Sequence, residues 1–190
     1  MVHLRTIDEL LANGAEDATA IGGFDVDGSV RPPLTYGDLR RLVSDTVRDL
    51  NGRGICNGDR VAMVLPNGPE MAAAFVSVAS GTATAPLNPA YKAQEFGFYL
   101  KDLNVKALIV ERRSTSPCVV VARELGVVVL ELDQVPGGPA GAFTLSGDSN
   151  SGDWAARSGI ADVEDDTALV LHTSGTTSRP KIVPLSQANI

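Results

Sequence analysis

The stretch LHTSGTTSRPKIVPL, residues 171–185 of this 190-residue chain, joins two apolar runs through a loop rich in hydroxyl side chains. One apolar run, 168–171, precedes the loop and another begins at Ile182, so the pattern predicts a strand, a loop and a second strand. Gly175 lets a ligand approach the backbone closely, the hydroxyls can donate to phosphate oxygens, and Lys181 supplies a positive charge. The stretch therefore predicts a polyphosphate site.

This loop differs from the Walker A loop of P-loop nucleotide hydrolases. Counted from Gly175, the second glycine of that pattern would fall where the chain has Pro180, and Ile182 stands at the position of the magnesium-binding Ser or Thr. A hydrolase of that class is therefore disfavoured. A solvated turn that binds nothing is the other interpretation of a Ser/Thr/Gly cluster, but the ordered string ending in Pro-Lys between two apolar strands favours phosphate binding.

The order of residues in the loop resembles the signature phosphate loop of the adenylate-forming superfamily, whose pattern is roughly T-S-G-T-T-G-x-P-K-G. Seven positions match, namely Thr173, Ser174, Gly175, Thr176, Thr177, Pro180 and Lys181. Upstream, the segments 34–50 and 58–91 are similar to the early helix and the following strand, helix and strand of the same family. Within it, HTSGTTSRPK, APLNPAY and EFGFYL look most like the oxalate–CoA ligase branch.

The resemblance implies an ATP-dependent acid–CoA ligase, in which a carboxylate attacks the α-phosphate of ATP and the acyl-adenylate then forms a thioester with coenzyme A. By position, the nucleotide would be bound by Thr173, Ser174, Gly175, Thr176, Thr177 and Lys181, and Thr176 would contact the Mg²⁺ carried by ATP. Such a reaction needs positioning and charge stabilisation and no side-chain nucleophile, so we expect no catalytic residue here.

Other functions remain open beside an oxalate–CoA ligase. One is a fatty-acyl-CoA synthetase, and one of another class is a non-catalytic α/β module with residual phosphate binding. Because the family's later motifs have no counterpart before Ile190, we expect residues 1–190 to form an incomplete N-terminal adenylation domain. On its own we expect it to be inactive and to self-associate through exposed apolar surface.

The upstream chain alternates predicted helices and strands, which is typical of a doubly wound, mostly parallel α/β sheet. Capping residues and apolar periodicity predict helices at 7–12, 93–103 and 117–125, and strands at 61–65, 83–87, 107–110 and 127–132. They also predict a helix that follows the Thr35 cap and ends at Gly52 and Gly54, and another that starts near Pro69 with an apolar stripe reaching Val78. The segment 133–161 is rich in Gly, Ser, Pro and Asp and predicts a linker or long loop, anchored by Trp154, that leads to another sheet edge or to a second sheet.

Composition narrows the classes of partner. The formal net charge of -7 and the lack of a basic run disfavour nucleic acid and anionic membranes. No stretch approaches the length of about 18 apolar residues that a membrane span needs, so we expect a cytoplasmic protein. Cys56 and Cys118 lack the spacing of a zinc site and are interpreted as buried apolar residues.

Several residues near the loop have a structural interpretation as well as a functional one. His172 could act as a base, but at the end of an apolar strand a packing histidine is favoured. Asp165 and Asp166 are interpreted as a solvated turn and not as metal ligands. Arg112 with Arg113 is interpreted as a short exposed pair. Ile182 replaces the family's glycine, and we expect its side chain to weaken the nucleotide fit.

Overall fold

The computed structural model describes residues 6–25, 27–148, 159–161, 165–173 and 180–190. The helices are α1 (Ile7–Ala12), α2 (Tyr36–Gly52), α3 (Pro69–Ala79), α4 (Ala93–Asp102) and α5 (Pro117–Glu124), with a 3₁₀ turn at Gln187–Asn189. The strands are β1 (Thr19–Ile21), β2 (Leu34–Thr35), β3 (Arg60–Val64), β4 (Ala83–Pro86), β5 (Ala107–Glu111), β6 (Val128–Gln134), β7 (Phe143–Gly147), β8 (Thr167–Thr173) and β9 (Lys181–Ser186).

Seven of these strands form one sheet in the order β7-β6-β5-β3-β4-β8-β9. The five inner strands are parallel, whereas β7 and β9 run antiparallel at the two edges. A separate antiparallel pair joins β1 and β2. The predicted doubly wound, mostly parallel sheet is therefore confirmed.

Both faces of this sheet are covered, because alternate residues of the inner strands enter different apolar clusters. In β3, Val61 and Met63 pack on the side of α2 and α3. Ala62 and Val64 pack with Phe96 of α4 and Cys118 of α5 on the other side. This alternation explains why the inner strands appear in the sequence as continuous apolar runs.

Predicted helix starts agree with the capping contacts. The Thr35 hydroxyl accepts from the Asp38 amide at 3.1 Å at the start of α2, and Thr6 with Glu9 forms a capping box at α1. Proline stands at the start of α3 and of α5, where its missing amide hydrogen costs no helical bond. Among the described residues, no helix is long and apolar enough to cross a membrane.

The prediction of a linker or loop over 133–161 is wrong in its first half. There β6 continues to Gln134 and β7 pairs with it in antiparallel register, Phe143 opposite Gln134 and Leu145 opposite Leu132. Phe143 is buried, whereas Thr144 and Ser146 are not. An edge strand with one polar face and a terminal glycine has the composition of a loop, which is why its short alternating pattern was missed. Trp154 lies outside the described residues.

The change of sheet edge predicted for this segment is confirmed. The strand β7 is the outermost strand at one edge, whereas β8 lies beside β9, the outermost strand at the other edge. The chain leaves β7 at one edge, and β8 then pairs with β4 on the far side of β3. Thr84 of β4 stands opposite Leu169 of β8. The predicted phosphate loop is thereby attached to the same sheet as the upstream α/β unit.

The two thiols offer a direct check on the core. Both cysteines are buried and neither is in a disulfide. Burial raises the pKa of the Cys118 thiol, which lowers its thiolate fraction at neutral pH. We expect neither thiol to react with Ellman's reagent in the native protein and both to react after denaturation in guanidinium. Rapid reaction of one equivalent of thiol under native conditions would show that a cysteine is accessible, which would contradict its burial in the core.

Candidate functional site

The predicted phosphate loop is carried by the antiparallel pair β8–β9. His172 stands opposite Ile182 and Thr173 opposite Lys181, which is the last pair before the loop. Thr173 and Lys181 are both exposed. The structure thus brings together the first and last of the predicted phosphate-binding residues. Ser174, Gly175, Thr176, Thr177 and the neighbouring Ser178 lie outside the described residues.

The end of β8 lies at the carboxyl edge of the sheet, which is the boundary formed by the C-terminal ends of its parallel strands. Because β8 is parallel to β4, and β4 to β3, the point where the chain leaves β8 at Thr173 is on the same edge as the ends of β3, β4 and β5. Open α/β sheets bind ligands outside the carboxyl ends of their strands. Thr173 and Lys181, the residues on either side of the predicted loop, therefore stand at the edge where such a fold binds small molecules.

A cleft of about 900 Å³ opens at this edge between the ends of β3 and β5. The strand order explains its position. The chain passes from β3 through α3 to β4 on one side, and from β5 through α5 to β6 on the other, so the connections diverge at this point. Such a topological switch point leaves a crevice because no crossing segment covers it. The sequence patterns alone contain no strand order, and they did not predict this cleft.

The lip of the cleft after β5 contains Arg112 and Arg113, which were predicted to be an exposed pair without a binding role. Both line the cleft. The Arg112 Nε lies 3.0 Å from Asp133 Oδ1, so a carboxylate on β6 orients it. Arg113 has left-handed backbone at φ 57°, which is uncommon for a residue with a side chain. The interpretation of these arginines as a simple surface pair is therefore incomplete.

Two helix N-termini border the same cleft. Gly68 precedes α3, and Ser116 caps α5 by accepting from the Cys118 amide at 3.4 Å. Both residues line the cleft. Because helix N-termini have partial positive charge and unpaired amide hydrogens, they favour anions. With the two arginines, they supply positive groups at this end of the cleft, which the carboxylates of Glu70, Glu111 and Asp133 also line.

Ile182 lies inside β9, where it is half-buried and packs against the α4 side of the sheet. Among the described residues, left-handed backbone at a non-glycine position occurs at Asn104 and Arg113 and not at Ile182. An extended strand is the conformation that β-branched residues favour. Its backbone therefore gives no structural reason to expect strain from Ile182, and a weakened nucleotide fit stays a prediction.

Replacing Ile182 by glycine is expected to destabilise the β8–β9 hairpin. The change removes a half-buried side chain and adds backbone freedom to a strand, together about 1–2 kcal/mol of unfolding free energy. Ile182→Val keeps the branched side chain and is expected to cost less than about 1 kcal/mol. Urea denaturation of both variants measures the difference, and equal midpoints would show that Ile182 does not stabilise the hairpin.

His172 and Asp166 have structural partners. The His172 Nε2 lies 2.9 Å from Asp102 Oδ2, and its ring packs on Tyr99, which agrees with a packing histidine. The Asp166 carboxylate accepts from the Asn57 side-chain amide at 2.7 Å and thereby ties two turns together. Within the described ranges, no group of three or more His, Cys, Asp or Glu side chains is placed to hold a metal ion.

Comparison with known proteins identifies the family of the chain. The family model for AMP-binding enzymes matches residues 11–190. The oxalate–CoA ligase of Arabidopsis thaliana is 35% identical over 187 residues, 97% of this chain and 36% of that protein. A long-chain-fatty-acid–CoA ligase of Mycobacterium tuberculosis is 30% identical over 163 residues, 82% of this chain and 30% of that protein. The chain thus spans about a third of the length of these relatives.

Solved structures show the same fold. The ATP-bound MatB from Rhodopseudomonas palustris superposes with a TM-score of 0.66 at 24% identity, covering 96% of this chain and 35% of that one. The similarity extends further toward the N-terminus than the resemblance seen in the sequence, which began near Leu34, because the family match starts at residue 11. The family model matches almost the whole chain, and the doubly wound sheet with its β8–β9 hairpin agrees with that match. The chain belongs to the AMP-binding enzyme family.

Proposed function

We propose that this chain supplies the nucleotide phosphate site of an acid–CoA ligase that activates a carboxylate as its acyl-adenylate. The observation that carries the proposal is the pairing of Thr173 with Lys181 at the end of β8–β9. This pairing fixes the two ends of the T-S-G-T-T-x-x-P-K string at the carboxyl edge of the sheet. A threonine hydroxyl and a lysine ammonium at the two ends of one loop suit the β- and γ-phosphates of ATP.

The roles proposed for the loop follow from the charge that develops in the reaction. Attack of the carboxylate on the α-phosphate breaks the bond to the β-phosphate, and negative charge accumulates on the departing pyrophosphate. Hydrogen-bond donors held in place before the reaction stabilise such charge without reorganising. Lys181 and the hydroxyls of Thr173, Ser174, Thr176 and Thr177 would do this. The Mg²⁺ that accompanies ATP would neutralise further phosphate charge, with Thr176 as its proposed protein contact.

Coenzyme A is the second proposed substrate, and the cleft between β3 and β5 supports this part of the proposal. Two strand spacings, about 10 Å, separate β3 from β8 across the sheet. The cleft and the loop thus lie at one edge but apart from each other. The guanidinium groups of Arg112 and Arg113 and the amides at the starts of α3 and α5 suit a phosphate-containing ligand. A thiol carried by a phosphorylated nucleotide has that chemistry.

For the acid, we propose oxalate. The support is the 35% identity over 97% of the chain with the Arabidopsis oxalate–CoA ligase. The similarity to a long-chain-fatty-acid–CoA ligase at 30% identity supports fatty acids as the second candidate. Both candidates use the same phosphate site, so they differ only in the acid that is activated.

Thioester formation by the natural full-length protein tests the choice of acid. The protein is incubated with ATP, Mg²⁺ and coenzyme A, together with either oxalate or palmitate, and the CoA products are separated by mass. We expect oxalyl-CoA with AMP as co-product. Palmitoyl-CoA alone would replace the oxalate assignment, and the absence of any thioester or AMP would favour a module without catalytic activity.

A further inference from the structure

His172 lies one residue before Thr173 and is held by α4. Its side chain is only 8% exposed, and its Nε2 lies 2.9 Å from Asp102 Oδ2. A carboxylate oxygen only accepts, so Nε2 must bear the hydrogen and donate it. Asp102 is the last residue of α4. The hydrogen bond therefore links the C-terminal end of this helix to the end of the strand that leads into the phosphate loop.

Aromatic contacts hold the same ring from a second direction. The ring of Tyr99 meets the His172 ring edge-on, with 4.7 Å between centroids. Tyr99 is itself stacked on Tyr91 at 4.9 Å, and Tyr91 packs edge-on against the buried Phe96 at 5.8 Å. The imidazole is thus connected to the apolar core beneath α4 as well as to Asp102.

Because His172 lies near the end of β8, its contacts with Asp102 and Tyr99 also restrain the start of the loop. His172 stands opposite Ile182, and the next pair is Thr173 with Lys181. Fixing His172 against α4 therefore fixes the backbone from which both proposed phosphate ligands extend. Donors act on a phosphate only when they are held in the productive geometry, and small displacements are costly.

We propose that His172 is a positioning residue for nucleotide binding: its hydrogen bond to Asp102 holds the base of the phosphate loop against α4. The inference rests on the function proposed above but concerns residues outside the loop motif. It assigns His172 no proton transfer and no contact with ATP. Asp102 acts through His172, and Tyr99 keeps the imidazole plane in place.

Two substitutions at position 172 separate the hydrogen bond from the packing. His172→Phe keeps an aromatic ring for Tyr99 but has no donor, whereas His172→Gln loses the ring and keeps an N–H that can reach Asp102. The His172–Asp102 hydrogen bond forms before ATP binds, so its loss weakens nucleotide binding through a less well fixed loop base, and the 39% exposure of Asp102 keeps the effect moderate. We therefore expect His172→Phe to raise the KM for ATP about tenfold and His172→Gln to change it less than about threefold.

The partner variant Asp102→Ala and the double variant complete the test. If the two side chains act through one bond, Asp102→Ala also raises the KM for ATP about tenfold, and the double variant is no worse than either single variant. Lys101→Ala, at an exposed neighbouring position of α4, is the matched control and should leave the KM unchanged. We expect kcat to fall as well, so that kcat/KM for ATP drops by more than tenfold, because the loop donors are proposed to stabilise charge on the departing pyrophosphate as well as to bind the nucleotide.

Amide hydrogen exchange in the unliganded protein gives a second readout that does not depend on activity. We expect faster exchange at residues 171–173 and 181–183 in His172→Phe and Asp102→Ala, and unchanged exchange in β3 and β5. If the wild-type protein forms no AMP, the proposed function fails and this local exchange still decides whether His172 holds the hairpin. Unchanged exchange, or a KM that stays constant while the whole protein loses stability, would overturn the positioning role.

Discussion

Replacing Lys181 by methionine is expected to raise the KM for ATP by about ten- to a hundredfold. Lys181 is the first residue of β9, is exposed and stands opposite Thr173. Methionine keeps a long unbranched side chain and removes the charge. A hydrogen bond between charged groups contributes about 1.5–3 kcal/mol, and each 1.4 kcal/mol changes an affinity tenfold. The loss should appear in the dependence of acyl-adenylate formation on ATP concentration.

The fold should be unaffected by the same substitution. Exposed positions away from packing contacts usually change the unfolding free energy by less than about 0.5 kcal/mol. Lys101→Met is the matched control, because Lys101 is also an exposed lysine, on α4, and it has no proposed contact with phosphate. If Lys181→Met and Lys101→Met have the same KM for ATP, the phosphate role of Lys181 is wrong.

The largest loss of stability is expected from Phe96→Ala in α4. Phe96 is fully buried in the cluster that packs α4 and α5 against the sheet. Truncating a buried phenylalanine costs about 3–5 kcal/mol, because the apolar contacts are lost and the cavity closes only in part. In a chain of this size each kilocalorie lowers Tm by about 2–4 °C, so Tm should fall by about 6–20 °C.

Phe98 provides the control on the same helix. Phe98 is 42% exposed. We expect Phe98→Ala to cost about 1 kcal/mol or less. Thermal unfolding of the two variants followed by circular dichroism measures the difference. Equal Tm values would show that α4 does not pack through Phe96.

Sequence patterns predicted the helices and the inner strands because each has a strong local signal. The capping box at Thr6 and the hydroxyl cap at Thr35 mark where α1 and α2 begin. The inner strands are buried on both faces and form continuous apolar runs bounded by turns. The strands β1, β2 and β7 were not predicted, because they are short or polar on one face and depend on pairing for their definition.

The site was predictable only in part, because the phosphate loop is local in the sequence, whereas the cleft and the His172–Asp102 contact depend on the folded structure. The phosphate loop is contiguous in the chain, so the order of its residues suffices to indicate it. The cleft near Arg112 and Arg113 depends on strand order, and the contact between His172 and Asp102 joins residues 70 positions apart. Strand order and contacts between distant residues arise only when the helices and strands assemble, and neither periodicity nor composition contains them.

Acid-dependent exchange of labelled pyrophosphate into ATP by the natural full-length protein tests the central claim most directly, since it reports reversible acyl-adenylate formation before any thioester. We expect exchange that requires Mg²⁺ and an acid, is supported by oxalate, and weakens strongly in Lys181→Met at limiting ATP. Absence of exchange with oxalate and with fatty acids, or release of ADP and phosphate in place of AMP and pyrophosphate, would contradict the assignment of an adenylate-forming site to this hairpin.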